Sequence, residues 1–404
     1  MTHVAWSRSS SRDCVTTPSH DLGFCDDVAG VIVTRRRLVG GAVAAAVTGV
    51  FSTAGAGYYF SGELLGVDRT RDLAVRVLAV EGDEVTLSRD LDTAKPIEIG
   101  LMWPEGAARL TTSVRVVGDT VVRQVAEREV GSLRPGLAVH VDYNVFSTDP
   151  KAAFGLDFAT VPVPGELGEL PAWLVPPPGA SRAGTWAIAM HGRGASRHEA
   201  LRVLPTVAGA GLTTLVLGYR NDPDAPASPD GYYHLGDTEW RDLAAGIRYA
   251  RENGATGVVL FGWSMGGGAA LTALRRVPLA EAALIRGVVL DSPVLSWDAV
   301  IDFQAALRHL PAPITWSAKR FTEWRGGLSL ARLDQDPGDL TVPALLFVDE
   351  SDQLVRTDRA HAYASARPDL VTLISTRDGG HVASWNVDPQ GYAAAVTAFL
   401  NRVA

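Results

Sequence analysis

Cysteine and lysine are the scarce residues of this 404-residue chain. Its two cysteines, Cys14 and Cys25, lie far from the main body. That excludes a CxxC or Cys/His zinc site, a cysteine nucleophile and any disulfide in everything beyond residue 25. Lysine occurs only at Lys95, Lys151 and Lys319, so 34 of the 37 basic residues are Arg. With Ala, Gly and Val abundant, this skew reads as coding bias rather than chemistry. Acidic residues outnumber basic ones by 45 to 37 and no basic stripe is present, which argues against nucleic acid or an anionic lipid surface as a partner of the main body. Internal repeats and low-complexity stretches are absent. Apolar residues make up 47% of the chain, enough to build a core and to exclude a disordered tail or a stapled mini-protein. The length suggests two to three domains.

Charge is missing altogether from Leu38 to Phe60, directly after Thr34-Arg35-Arg36-Arg37. At about 1.5 Å per helical residue the run could cross a bilayer core. Its early part, Leu38 to Phe51, also suits a signal-peptide apolar region, with Ala54-Gly55-Ala56 as a small-x-small cleavage site. Thr-Arg-Arg-x-Leu-Val partly resembles a twin-arginine export signal, with Gly40 where a lysine is usual. A single-pass anchor and a cleaved signal both leave Arg35, Arg36 and Arg37 inside and send the rest across a membrane, giving an extracytoplasmic protein. A buried Ala/Gly-rich helix of the globular part is the competing reading, and the three-Arg cluster counts against it. Tyr58, Tyr59 and Phe60 would suit an interfacial aromatic belt. The segment 34–60 is therefore read as a signal or membrane anchor. Residues 1–33, polar and patternless, are read as a disordered tail or an over-long start.

Residues 68–150 read as a small β domain. Strand candidates are Leu73 to Ala79, Val85 to Leu87, Pro96 to Trp103, Val114 to Val117, Thr120 to Val125 and Leu137 to Tyr143, punctuated by glycine and proline. From about residue 155 the pattern changes. Apolar runs at Trp186 to Met190, Thr213 to Gly218, Val258 to Gly262, Gly287 to Leu290, Ala344 to Val348 and Val371 to Ser375 alternate with helical stretches. Thr238 to Asn253, with Asp237 as its N-cap, Met265 to Arg275 and Pro389 to Arg402 are the clearest of these. Continuous apolar strands separated by helices predict an α/β domain: a mostly parallel sheet covered by helices on both faces.

Gly262-Trp263-Ser264-Met265-Gly266 fits G-x-S-x-G, follows an apolar strand and opens a small-residue helix. That setting is what a nucleophile elbow requires: a tight turn lifts the Ser264 hydroxyl to a helix N-terminus, where a developing anion is favoured. A serine hydroxyl needs a base, and the base an orienting acid, in chain order Ser, acid, His. Three histidines follow Ser264. His309 and His361 fall in helical stretches, whereas His381 follows Gly379-Gly380 in a loop between the last strand and the last helix. The acid belongs after the Ala344 to Val348 strand, where Asp349, Glu350 and Asp352 compete. Asp352, three residues before Val355, is the first choice, and Asp349 suits capping of the turn. Two amides must hold the oxyanion. One is that of Met265. The other is assigned to Arg193 in His191-Gly192-Arg193-Gly194, whose His191 reads as a structural loop residue.

The strand-His-Gly loop, the Gly-Trp-Ser-Met-Gly-Gly elbow, Asp-x-x-Val and Gly-Gly-His come in the order and spacing of the α/β-hydrolase superfamily, which residues 155–404 resemble. Within it they are most similar to the prolyl-oligopeptidase and dienelactone-hydrolase-like branch. The resemblance implies a serine hydrolase with Ser264, Asp352 and His381 as triad and no metal or organic cofactor. The peptidases of that branch carry a several-hundred-residue propeller that the β structure here cannot build. This favours an ester or thioester of small-molecule size as substrate over a peptide. An acyltransferase would use the same triad. A non-catalytic binding module is disfavoured because no triad member is missing.

Two further segments bear on specificity. Tyr219 and Arg220 follow a strand at its C-terminal end, where open α/β sheets bind ligands. With Trp263 of the elbow they are the candidate substrate contacts, and Arg220 with Asp222 could equally brace the loop. The stretch 293–339 reads as a lid insertion. Its Trp297, Trp316, Phe321 and Trp324 either form an apolar acyl pocket or pack the lid onto the core.

Overall fold

The computed structural model describes residues 52–179, 182 and 184–404. The expectations for residues 1–33 and for the apolar run as far as residue 51 lie outside these. Among the described residues no helix is long and apolar enough to cross a membrane. Residues 52–65 are helical, so Ala54-Gly55-Ala56 lies within a helix.

Alternation along Val75–Glu81 puts Val75 and Val77 inside and Arg76 and Leu78 outside. Five further strands close a six-stranded barrel with it. Its members are β1 (Val75–Glu81), β2 (Glu84–Ser88), β3 (Ile99–Trp103), β4 (Gly106–Val117), β5 (Thr120–Val130) and β6 (Ala138–Asp142). The strand order is β1-β2-β5-β4-β3-β6, and β6 pairs antiparallel with β1 to complete the closure. The long β4–β5 ladder shifts register at three points, which lets it curl. Inward Val85, Leu87, Ile99, Leu101 and Val139 fill the interior. Arg123 shares the inward register of Val121 and Val125 and is only 1% exposed. Its guanidinium donates to the carbonyls of Thr93, Lys95, Ile97, Thr111 and Ser113, using its full set of donors. Burial lowers its pKa to about 10, so it stays charged at neutral pH.

Eight strands build the second sheet: β7 (Ala159–Pro164), β8 (Glu169–Val175), β9 (Thr185–Met190), β10 (Thr213–Leu217), β11 (Gly257–Trp263), β12 (Ile285–Asp291), β13 (Ala344–Asp349) and β14 (Val371–Thr376). The order is β14-β13-β12-β11-β9-β10-β8-β7. The six strands from β9 onward run parallel, and β8 and β7 add an antiparallel edge. Every residue of β11 and β13 is buried, as expected of strands covered on both faces. Val258 and Leu260 enter one core with Leu243, Met265 and Ala269. Val259, Phe261 and Trp263 enter the other with Leu204, Val396 and Phe399. This is the arrangement that the resemblance to α/β-hydrolases implies.

The β7–β8 hairpin is absent from the sequence expectation. Its Pro162 and Pro171 face each other across the ladder; Pro162 is tolerated because β7 is an edge strand, and Pro171 because it lies just beyond Ala172, the last residue of β8 paired with β10. The helix expected from Thr238 begins at Trp240, with Glu239 rather than Asp237 at its cap. Asp237 instead pairs with Arg276 at 2.7 Å, and the Glu239 carboxylate accepts the amides of His234 and Gly236.

The stretch between β12 and β13 carries two long helices, Trp297–Leu307 and Ala312–Gly326. The helix 52–65 lies against the second. Gly57 sits so close to Ser317 that a Cβ there would fall 2.2 Å from its hydroxyl. Arg325 donates to the Tyr58 carbonyl, the Ser61 hydroxyl and the Tyr232 hydroxyl, and its guanidinium lies 4.1 Å from the Tyr58 ring centre. Tyr58, expected in an interfacial belt, thus packs on Arg325 and edge-on to Phe321.

Candidate active site

Strand β11 ends at Trp263 and a helix, Met265–Arg276, starts two residues later. The turn between them leaves Ser264 at φ 51° and ψ −117°, a conformation costly for a non-glycine residue. Neighbouring backbone over-determines it. The Ser264 amide donates to the Asp291 carbonyl at 3.0 Å, and the Ser264 carbonyl accepts the Val294 amide at 3.0 Å. The flanking glycines are obligatory for steric reasons. A Cβ on Gly266 would lie 2.3 Å from the Met190 carbonyl oxygen, and one on Gly262 would lie 2.7 Å from Gly266.

The turn presents the Ser264 hydroxyl 2.8 Å from Nε2 of His381. Nδ1 of His381 lies 2.7 Å from Oδ2 of Asp352. The carboxylate must accept at Nδ1, so Nε2 carries the lone pair that faces Ser264. Asp352 is itself fixed, since its other oxygen accepts the amides of Leu354 and Val355 at 2.7 and 3.0 Å. The two competing carboxylates are engaged elsewhere. Asp349 accepts the amides of Ser351, Gly379 and Gly380 and the Thr376 hydroxyl, and so holds the Gly-Gly turn that delivers His381. Glu350 pairs with His361 at 2.8 Å. His309 follows a helix end in a left-handed turn.

Beside Ser264 runs the loop His191–Gly194. Gly192 approaches so closely that a Cβ on it would lie 3.2 Å from the Ser264 Cβ. Its amide is bound by Glu199 at 2.7 Å and is not available to an incoming oxygen. The amides of Met265 and Arg193 have no hydrogen-bond acceptor among the described residues, so both expected oxyanion donors are free. The Gly192 carbonyl, in the same peptide unit as the Arg193 N–H, lies 2.9 Å from the Tyr219 hydroxyl that donates to it and 2.9 Å from Nδ1 of His191. Hydrogen bonds accepted at one end of a peptide strengthen donation at the other. Both His191 nitrogens face acceptors, Asp222 at 2.9 Å being the second, so both must carry protons. Burial opposes that charge, but the Asp222 carboxylate outweighs it and the imidazole pKa is raised.

These contacts correct the expected substrate side chains. Tyr219 is fully buried, stacked on His191 with ring centres 4.4 Å apart, and braces the loop. Arg220 is buried in a bidentate pair with Asp242, at 2.8 Å for each bond, and reaches Glu166, so it braces the loop with Asp242 rather than with Asp222. Asp222 pairs with His191 and Arg69. Trp263 points into the core because alternation along β11 turns it away from the cavity. None of the three lines the space in front of Ser264.

That space is a cavity of about 590 Å³ bordered by Ser264 and His381. Val294, Trp297, Val300, Ile301 and Ala318 of the insertion give it an apolar side, completed by Phe60 and Leu64 of the helix 52–65. Of Trp297, Trp316, Phe321 and Trp324, only Trp297 lines it. Phe321 packs on Tyr58, and Trp316 and Trp324 are exposed. The sequence reading missed Glu199 and Arg202. This buried pair ties the Gly192 amide to the Val382 carbonyl and Asn386 behind His381, and only an unremarkable Glu-x-x-Arg spacing marks it. Among the described residues no group of three or more His, Cys, Asp or Glu is placed to hold a metal.

With this geometry established, the chain can be set beside known proteins. A family described as a domain of unknown function (DUF8805) matches residues 76–142, which are the barrel. No curated protein matches the chain. Among solved structures, the esterase Pf2001 of Pyrococcus furiosus is similar in two crystal forms at 22% and 21% identity, each with a TM-score of 0.50. The likeness covers 64% of this chain and 96% of the esterase. Est1E from Butyrivibrio proteoclasticus, solved with ferulic acid, is similar over 60% of this chain and 98% of its own, at 15% identity and a TM-score of 0.48. The likeness to Pf2001 establishes the α/β-hydrolase fold of the larger sheet.

Proposed function

We propose that the chain is a serine hydrolase that cleaves a small-molecule carboxylic ester or thioester through an acyl-enzyme. Ser264 attacks the carbonyl, His381 takes the hydroxyl proton and returns it to the leaving group, and Asp352 orients His381 and stabilises its charge. The amides of Met265 and Arg193 hold the oxyanion. Water then enters with His381 as base and frees the acid. The observation that carries this reading is the continuous path Ser264–His381–Asp352, with contacts of 2.8 and 2.7 Å, opening on a cavity with an apolar side. The esterase name of Pf2001 agrees with it. The apolar side of the cavity suits an acyl chain and favours an acyl compound over the peptide of a prolyl-oligopeptidase-type enzyme, while an acyltransferase would use the same residues. Export, by an anchor or a twin-arginine-like signal in 34–60, is part of the same proposal.

The test is Ser264→Ala in the full chain. Ester turnover is expected to fall about 10⁴-fold or more and fluorophosphonate labelling to vanish, with the melting profile unchanged. Undiminished hydrolysis by this variant would sink the reading.

A further inference from the structure

The barrel has no interior to offer a ligand. Its inside is filled by its own valines, leucines and isoleucines and by Arg123, whose donors are all engaged. Any ligand must therefore meet its outside. The barrel is also not loosely attached. Asn386 in the segment behind His381 donates to the carbonyls of Glu98 and Tyr143 at 2.7 and 2.9 Å and accepts the Glu98 amide on its own carbonyl at 3.0 Å. Lys95 donates to the Gly379 carbonyl at 3.0 Å. This docking brings the end of β6 into the cavity wall, where Asp142, Tyr143 and Asn144 face the space that holds Ser264 and His381.

Asn144 is the informative residue. It is only 9% exposed, lines the cavity, and its carboxamide has no hydrogen-bond partner among the described residues. Its carboxamide atoms are not fully enclosed, so they open on the cavity, where a ligand group can meet both its donor and its acceptor. Beside it, one oxygen of Asp142 accepts the Asn144 amide at 2.8 Å and the other has no protein partner among the described residues. Tyr143 is not available, since its hydroxyl already donates to Asp92 and accepts from Lys95. The wall thus offers one carboxamide, which both donates and accepts, and one carboxylate oxygen, which accepts. Lys95 offsets Asp92, Arg202 offsets Glu199, and Glu63 and Asp142 stand with Arg71, Arg193 and Arg308 around the space, so both signs of charge are present and neither is in large excess. Such a surface suits neighbouring hydroxyl groups on a neutral molecule.

We propose that the barrel is a leaving-group subsite. In this assignment Asp142 and Asn144 bind the hydroxyl-rich alcohol portion of an ester, a polyol or a sugar, whose acyl chain lies between the helix 52–65 and the insertion. The assignment rests on the serine-hydrolase reading and specifies its substrate class.

The experiment compares full-length wild type with Asn144→Leu, using glyceryl butyrate and p-nitrophenyl butyrate. Both share the acyl chain, and only the first carries free hydroxyls. Losing one hydrogen bond to the alcohol should lower the ratio of the two kcat/KM values by about threefold to tenfold. Asp142→Ser, at a half-buried position, reads the same ratio and serves if Asn144→Leu does not fold. An unchanged ratio in the folded variants overturns the subsite while fluorophosphonate labelling of Ser264 leaves the hydrolase reading standing. Absence of labelling in the wild-type chain overturns the hydrolase reading itself.

Discussion

Asp291 ends β12, the strand paired with β11, and its backbone carbonyl holds the Ser264 amide. Its side chain is 1% exposed, one carboxyl oxygen has no hydrogen-bond partner, and the other meets the Ser292 hydroxyl only at 3.3 Å. Burial pushes its pKa from 3.8 up to about 7. Arg202 and His381 pull it back, and Glu199 adds to the rise. The folded state binds this proton more tightly than the unfolded state does, so the stability present below pH 3.8 is lost as pH rises toward about 7 and then stays level. At about 1.4 kcal/mol for each tenfold difference in proton affinity, the loss has an upper bound of about 4 kcal/mol, and the relaxed response of a protein interior brings it to about 2–4 kcal/mol.

Asp291→Asn removes the ionisation and keeps the shape. Urea denaturation at pH 4.5 and pH 8 checks the expectation. Wild type and variant should differ little at the lower pH, and the variant should be more stable by about 2–4 kcal/mol at the higher one. A stability difference that is the same at both pH values would refute the reasoning, because it would mean that Asp291 is not protonated selectively in the folded chain.

Three other outcomes follow from contacts around the site. Tyr219→Phe removes one donor from the Gly192 carbonyl and should lower kcat about fivefold at constant KM, read from steady-state ester kinetics, whereas a substrate contact would raise KM instead. Gly266→Ala drives a Cβ against the Met190 carbonyl, and neither is a flexible side-chain end, so a loss of about 2–4 kcal/mol in chemical denaturation, or no soluble protein, is expected. Arg325→Ala releases the helix 52–65 from two hydrogen bonds and a ring contact. Limited proteolysis should then cut between residues 52 and 66 well before the rest of the chain, and unchanged protection would show that Leu65 and Gly57 hold the helix unaided.

The sequence carried the parts of the fold whose cause is local. Runs such as VVLF in β11 are buried on both faces, and that leaves a readable apolar stretch. The elbow is legible because its steric demands are local too, with Gly262 and Gly266 forced by backbone atoms within a few ångströms. The β7–β8 hairpin was hidden because Pro162, Pro164 and Pro171 contradict strand propensity; the edge position of β7 excuses the first two, and the end of the β8–β10 ladder the third. The choice of Asp352 over Asp349 followed spacing, yet the reason Asp349 cannot serve is tertiary: its oxygens are spent on Gly379, Gly380, Ser351 and Thr376.

The misplaced substrate residues show why a pocket is harder to read than an elbow. Position at a strand's C-terminal end puts Tyr219 and Arg220 near the site, but that position does not say whether a side chain faces the ligand or supports what does. Burying an arginine there is tolerable only with a partner, and Asp242, 22 residues on, supplies two bonds that turn Arg220 away from the cavity. The actual wall is assembled from Phe60 and Leu64, Asp142 and Asn144, and Val294 to Ala318, three segments that only folding brings together. Each looks ordinary alone: a helix end, a strand exit, an insertion. Chemistry concentrated in one turn is therefore visible in one dimension. Specificity distributed over a barrel, a helix and an insertion becomes visible only when an unpaired amide such as that of Asn144 is found facing the same space as Ser264.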